Sequence, residues 1–288
     1  MDIDALFERF TGAFAANTLR AYRADYVAFE RWCVAQGVSP EHLSAVEFAR
    51  FVDDMSAVKT PATVRRYVDS LSSLRRLSGH SPVTQSPEVV LAIKRMHRCK
   101  GRGQAQAIPL THDVLSALLA VCGNDLSGMR DQVLLHLGYE TMRRRAELCQ
   151  FRFEDRELRA DGRGALRLRF SKADQMGRGK LIPLSPETNA LLNSWAEKTT
   201  SSGYILRTQQ TYSTGHRPMS PATVNHRLRD LQVRAGLVLG GWLSGHSFRV
   251  GAALDMLEAG VSMEKIMLRG GWQSESTVMR YLRAWDYD

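Results

Sequence analysis

Apolar side chains recur every three or four residues at Leu19, Tyr22, Tyr26, Phe29 and Cys33. That repeat puts them on one face of a helix and leaves the other face to water. Hydroxyl residues followed by proline mark further helix starts at Ser39-Pro40, Thr60-Pro61 and Ser86-Pro87. The hydroxyl can accept from an unpaired N–H of the first turn, and proline has no N–H to leave unpaired there. Ser44 and Glu47 have the spacing of a capping box, and Gly79 and Gly101 are placed to stop helices. These signals predict a bundle of four or five helices over residues 1–100. The following run KGRGQAQA has two glycines, two cations and no apolar period, which reads as an exposed linker at 101–108.

Beyond the linker, at 109–288, Thr111 precedes a helical pattern through Val121, and Met129 to Leu137 begins another that runs into GYETMRRRAEL. The period then changes. Residues 165–170 alternate apolar and polar, and Lys180-Leu181-Ile182-Pro183-Leu184 follow a glycine-rich turn, so a β-hairpin is predicted. Helical patterns resume after Ser185-Pro186, Ser220-Pro221, Gly245-His246, Ser262 and Ser274. The fold class is therefore mainly α: an N-terminal helical bundle, then a mostly α domain with a small antiparallel sheet.

A length of 288 residues fits two domains at roughly 150 residues each. The net charge of +9 favours a polyanionic partner, with nucleic acid and an anionic membrane surface both open on charge alone. Cys33, Cys99, Cys122 and Cys149 are scattered, with no CxxC pair and no His-rich companion, so neither a zinc site nor a disulfide framework is indicated. The start MDIDALFERF is acidic and amphipathic, unlike a signal peptide, and no apolar run approaches a membrane span. A reducing cytoplasm is the expected compartment, with no membrane partner.

Arg144 and Glu147 stand three apart, which on a helix lets a carboxylate fix a guanidinium; taken alone, such a pair is most often a surface ion pair. His246 and Arg249 repeat the spacing at a predicted helix start, which favours phosphate, although an isolated HxxR is most often a capping histidine beside an unrelated arginine. Trp272 follows two glycines, and Tyr281 comes nine residues later. Two arginines, a histidine, an indole N–H and a phenol together fit one chemistry. The phenol attacks a phosphodiester, and the cations stabilise the charge that develops on its non-bridging oxygens.

These positions resemble the tyrosine recombinase (phage integrase) family. Arg144, Lys172, His246-Ser247-Phe248-Arg249, Trp272 and Tyr281 occur in the family's motif order, and SGHSFRVGAALDMLEAGVSMEKIMLRGGWQSESTVMRYLRAWD is most similar to the Cre branch. The resemblance implies a SAM-like core-binding bundle and a catalytic domain that together form a C-shaped clamp on DNA. It implies phosphate-gripping roles for Arg144 and Arg249, an orienting role for Glu147, and a general acid/base or phosphate-binding role for His246. Trp272 would donate a hydrogen bond or pack the site, and Tyr281 would form a 3′-phosphotyrosyl bond. Lys172, in the turn after the first hairpin strand, would be the general acid, with Lys180 as its rival. Within Met142-Arg143-Arg144-Arg145, Arg144 keeps the family's spacing to Thr141 and Glu147.

Arg20, Arg23, Arg65 and Arg66 fall on stretches similar to DNA-facing helices, as do His226 and Arg229 after Ser220-Pro221. The implied partner is double-stranded DNA with inverted-repeat sites, bound as a homotetramer that is monomeric when free, with no metal and no cofactor. Members of the Cre branch lend a last helix to a neighbour; only a short stretch follows Tyr281 here, so other surfaces are expected to hold the tetramer. A type IB topoisomerase or telomere resolvase, and a DNA-binding regulator without cleavage, are the competing readings.

Overall fold

Helices carry most of the chain in a computed structural model that describes residues 3–81, 83–103, 106–158, 163–169 and 179–282. Two units are distinguished, Met1–Ala105 and Gln106–Asp288.

The first unit contains α1 (Ile3–Phe10), α2 (Ala16–Gln36), α3 (Ala45–Val58), α4 (Pro61–Leu77) and α5 (Pro87–Lys100). The stripe read from the sequence on α2 faces inward: Tyr26, Phe29 and Cys33 are buried, with Leu19 and Tyr22 packed at the margin. Phe51 of α3 takes Phe29 and Trp32 edge-on at 5.1 and 5.3 Å, and burying each such ring is worth on the order of 2 kcal/mol. Ser44 and Glu47 close the capping box that starts α3, with Ser44 N–H donating to Glu47 Oε2 at 2.7 Å and Glu47 N–H to Ser44 Oγ at 3.3 Å. Thr60 caps α4. Ser86 occupies the position before α5 without a capping bond from its side chain.

Ser39-Pro40 is a correction: the stretch opens no helix. The chain leaves α2 through the left-handed cap at Gly37, and Pro40 offers its carbonyl to Arg75 Nη1 at 3.0 Å. The stronger start signal four residues on, at Ser44, takes the helix.

The second unit contains α6 (His112–Ala120), α7 (Leu126–Thr141), α8 (Arg145–Leu148), α9 (Pro186–Lys198), α10 (Pro221–Arg234), α11 (Ser247–Glu258), α12 (Met263–Gly270) and α13 (Glu275–Leu282). Its sheet has strands β1 (Arg156–Leu158), β2 (Gly164–Leu168) and β3 (Lys180–Leu184), antiparallel in the order β1-β2-β3. Leu166 lies opposite both Arg156 and Ile182. The expected hairpin is β2–β3, and β1 extends it; Pro183 is tolerated because β3 is an edge strand. Leu166, Leu168, Ile182 and Leu184 turn inward to the core that also holds Val133, Leu134 and Leu137 of α7.

Two packing features set the position of the helix ends that matter below. A Cβ at Gly138 of α7 would lie 2.5 Å from the Phe248 ring, so the missing side chain lets α11 approach α7 closely. Buried Asp131 of α7 accepts from Arg130 at 2.9 Å and from Arg227 of α10 at 2.6 Å, which ties α10 to the same central helix.

Candidate active site

The site begins where α7 ends. Met142 caps α7 in the left-handed conformation at φ 53°, the one non-glycine residue with positive φ among the described residues. The next residues are turned out of the helix axis, and Arg144 occupies the position before α8 rather than lying on a continuous helix. Glu147 folds back from α8, accepting from the Arg144 N–H at 3.1 Å and from its Nη1 at 2.9 Å. Glu147 is 8 % exposed while the arginine side chain is 38 % exposed, so the carboxylate is a fixed internal support and the guanidinium keeps a face towards solvent.

His246 and Arg249 stand at the N-terminus of α11. Burial, followed by the charges of Arg249 and Arg144, pushes the His246 imidazole down to about 4, so the three groups share one electrostatic environment with a neutral imidazole at pH 7. Arg249 is 1 % exposed. Its Nη1 donates to Met142 O at 2.5 Å and Gly270 O at 3.0 Å, and its guanidinium carbon stands 4.4 Å from the centre of the Trp272 ring, within cation–π range.

The two glycines before Trp272 have separate reasons. A Cβ at Gly270 would lie 1.9 Å from the indole, and Gly271 has the positive φ, 68°, that ends α12. The cap is completed by the Trp272 N–H donating to Met267 O at 3.0 Å.

Around Arg249, cations pair with main-chain carbonyls. Arg143, 2 % exposed, donates through Nε to Thr141 O at 2.8 Å and through Nη2 to Arg269 O. Arg269 Nε donates to Glu140 O at 2.8 Å, and Lys180 Nζ donates to Leu268 O. Carbonyls 140–142 and 268–270 close α7 and α12 and form the negative ends of their dipoles. Cations therefore collect here with few carboxylates to neutralise them. Burial pushes the Arg143 guanidinium down to about 10, and burial together with Arg143 and Arg269 lowers Lys180 from the usual lysine range.

Tyr281 belongs to α13; its side chain is outside the described residues. Val278 and Leu282 of that helix are buried in one cluster with Met142, Val250, Ile266 and Trp272. The structure thus brings Arg144, Glu147, His246, Arg249 and Trp272 together and anchors α13 to the same cluster. Lys172 lies outside the described residues.

Residues 109–286 match the model of the phage integrase family. The chain belongs to the phage integrase family. Relatives within it include an integrase/recombinase xerD homolog of Selenomonas ruminantium, 28% identical over 281 residues that cover 93% of this chain and 82% of the relative. The recombinase Cre of Escherichia phage P1 is 27% identical over 246 residues, 78% of this chain and 71% of Cre. Among solved structures, a lambda integrase (75-356) dimer bound to a COC′ core site superposes with a TM-score of 0.71 at 19% identity, covering 99% of this chain and 96% of that one. XerH recombinase in a post-cleavage complex with difH DNA gives 0.66 at 14% identity, covering 91% and 75%. At those identities the likeness is one of fold.

Several arginines of this phage integrase family member already have acidic partners. Arg66 pairs with buried Asp25 at 2.5 Å and Arg23 with Asp4 at 2.6 Å. Arg20 donates to Asn17 Oδ1 at 2.7 Å, and Arg65, His226 and Arg229 are exposed. Arg143 and Arg269 are the site residues that reading the sequence did not single out. The run of three arginines is visible in the sequence, but the acceptors of Arg143 are carbonyls, as is the acceptor of Arg269 Nε, and carbonyls leave no mark in a sequence.

Proposed function

We propose that this chain is a site-specific tyrosine recombinase that cleaves and rejoins DNA at inverted-repeat sites. The supporting observation is the convergence of Arg144, His246, Arg249 and Trp272 beside the cluster that anchors α13. The Tyr281 oxygen attacks phosphorus, its proton passing to neutral His246, and the bond to the 5′ oxygen breaks as a 3′-phosphotyrosyl bond forms. The departing 5′ oxygen takes its proton from a lysine, Lys172 or Lys180. Arg144 and Arg249 hold the non-bridging oxygens, the Arg fork matching two of them at once, and the N-terminus of α11 adds its dipole. Glu147 orients Arg144, and Trp272 packs Arg249. The bond energy stays in the phosphotyrosine, so a 5′ hydroxyl of a second strand reseals it without ATP.

Arg20, Arg23, Arg65, Arg66, His226 and Arg229 are the proposed contacts to the duplex, where phosphate contacts set the register. The assembly is a homotetramer on DNA and a monomer when free, acting in the cytoplasm. The test uses nicked suicide substrates carrying inverted repeats, without divalent metal, comparing wild type with Tyr281→Phe. A protease-sensitive covalent adduct in wild type alone supports the reading, whereas specific binding with no adduct from either protein replaces it with a DNA-binding regulator.

A further inference from the structure

Two guanidiniums span the same pair of backbone segments in parallel. Arg249 joins Met142 O to Gly270 O, and Arg143 joins Thr141 O to Arg269 O, one residue back on each segment. Arg143 also fills the space over the turn: a Cβ at Gly271 would stand 2.8 Å from its Nη1. One rung therefore carries a residue of the proposed reaction, and the other carries a residue with no place in it.

Burying a cation has a desolvation cost, and an aliphatic side chain of similar volume would fill a buried site without it. The chain keeps an arginine there, whose Nε and Nη2 donate to one carbonyl of each segment from a single rigid plane. The segments it joins are functionally unequal. One continues directly into Arg144, whose pose depends on the turn after Met142. The other continues into Gly271 and Trp272 and then into α13, which carries Tyr281.

We infer that Arg143 is a positioning residue for strand cleavage: it braces the turn that presents Arg144 against the turn that presents Trp272 and leads to the helix of Tyr281. This rests on the recombinase reading, and the brace can be measured apart from it. The comparison is wild type, Arg143→Met, which keeps the volume, and Arg143→Lys, which keeps one donor to one carbonyl. Amide hydrogen exchange is measured on the free proteins, half-site affinity on an uncut duplex, and the single-turnover rate of adduct formation on the nicked substrate.

In Arg143→Met, exchange protection is lost at 269–272 but kept in the middle of α7 and in α10. Affinity is unchanged and adduct formation slows by about 100-fold, the effect of a small misplacement of reacting groups. Arg143→Lys recovers part of that rate. Unchanged protection at 269–272 overturns the inference, as does an unchanged adduct rate with wild type active, or a loss of protection and affinity across the whole unit. A wild type that binds DNA but forms no adduct defeats the recombinase reading instead, and the exchange result then decides the brace by itself.

Discussion

His246 is held neutral at pH 7, with burial and then the charges of Arg249 and Arg144 pushing it down to about 4. The unfolded chain takes up that proton near 6.5, so between those values the unfolded state binds more protons and is favoured as pH falls. Urea unfolding at a series of pH values should therefore show stability falling as pH drops from about 6.5 towards about 4, with a smaller fall in His246→Gln. Gly270 gives a second prediction at this scale. Its Cβ would lie 1.9 Å from the Trp272 ring, so Gly270→Ala should displace the indole and cost about 1–3 kcal/mol as an overpacked site, read as a lowered urea midpoint. Arg144, His246 and Arg249 stand out in the sequence through the motif order they share with Trp272 and Tyr281, and Glu147 through its spacing to Arg144, since either pair alone looks like an ordinary surface pair. Arg143 and Arg269 do not stand out, since charge runs on a basic chain are ordinarily solvated and the acceptors here are carbonyls of residues 140–142 and 268–270.

At the scale of elements, α10 separates two kinds of cation that look alike in the sequence. Arg227 is engaged with buried Asp131 and with Asp230, while His226 and Arg229 on the same helix are exposed. Arg229→Ala should leave the melting temperature unchanged and reduce the slope of log affinity against log salt by about one. Arg227→Ala should instead destabilise the fold by about 1–3 kcal/mol, because Asp131 loses a partner inside the core. Helix starts are legible where a hydroxyl caps locally, as at Ser44, Thr60, Ser185 and Ser220, whereas α7 starts at Leu126 behind Asp125, which accepts from the Gly128 N–H, and not at Met129 as its apolar pattern suggests. Ser39-Pro40 carried the same letters but lost to the neighbouring capping box, a competition that depends on where α2 stops. Strand β1 has three residues, too few for an alternation to be recognised.

For the whole molecule, each unit closes its own core. Leu6 to Met96 supply one cluster of the first unit, and Leu110 to Phe248 supply the main cluster of the second. Residues 1–105 and 106–288 expressed separately should each unfold cooperatively, followed by far-ultraviolet circular dichroism against urea; a fragment with a broad, non-cooperative profile would show that its core is incomplete. The sequence places a linker at 101–108 because a polar, glycine-containing stretch cannot be buried at low cost. No helix among the described residues is long and apolar enough to cross a membrane.

The carbonyl ladder at the ends of α7 and α12 also bears on how such a site can evolve. Every residue type contributes a carbonyl, so no single substitution at 141, 142, 269 or 270 deletes an acceptor, and the acceptor side is genetically silent. Loss of a guanidinium cannot be repaired by changing the residue it touches. Suppressors of an Arg143 or Arg249 defect should therefore map away from those four positions, to residues that set the course of either turn, such as Gly271, and paired substitutions between a lost guanidinium and the residue it touched should be absent from any selection.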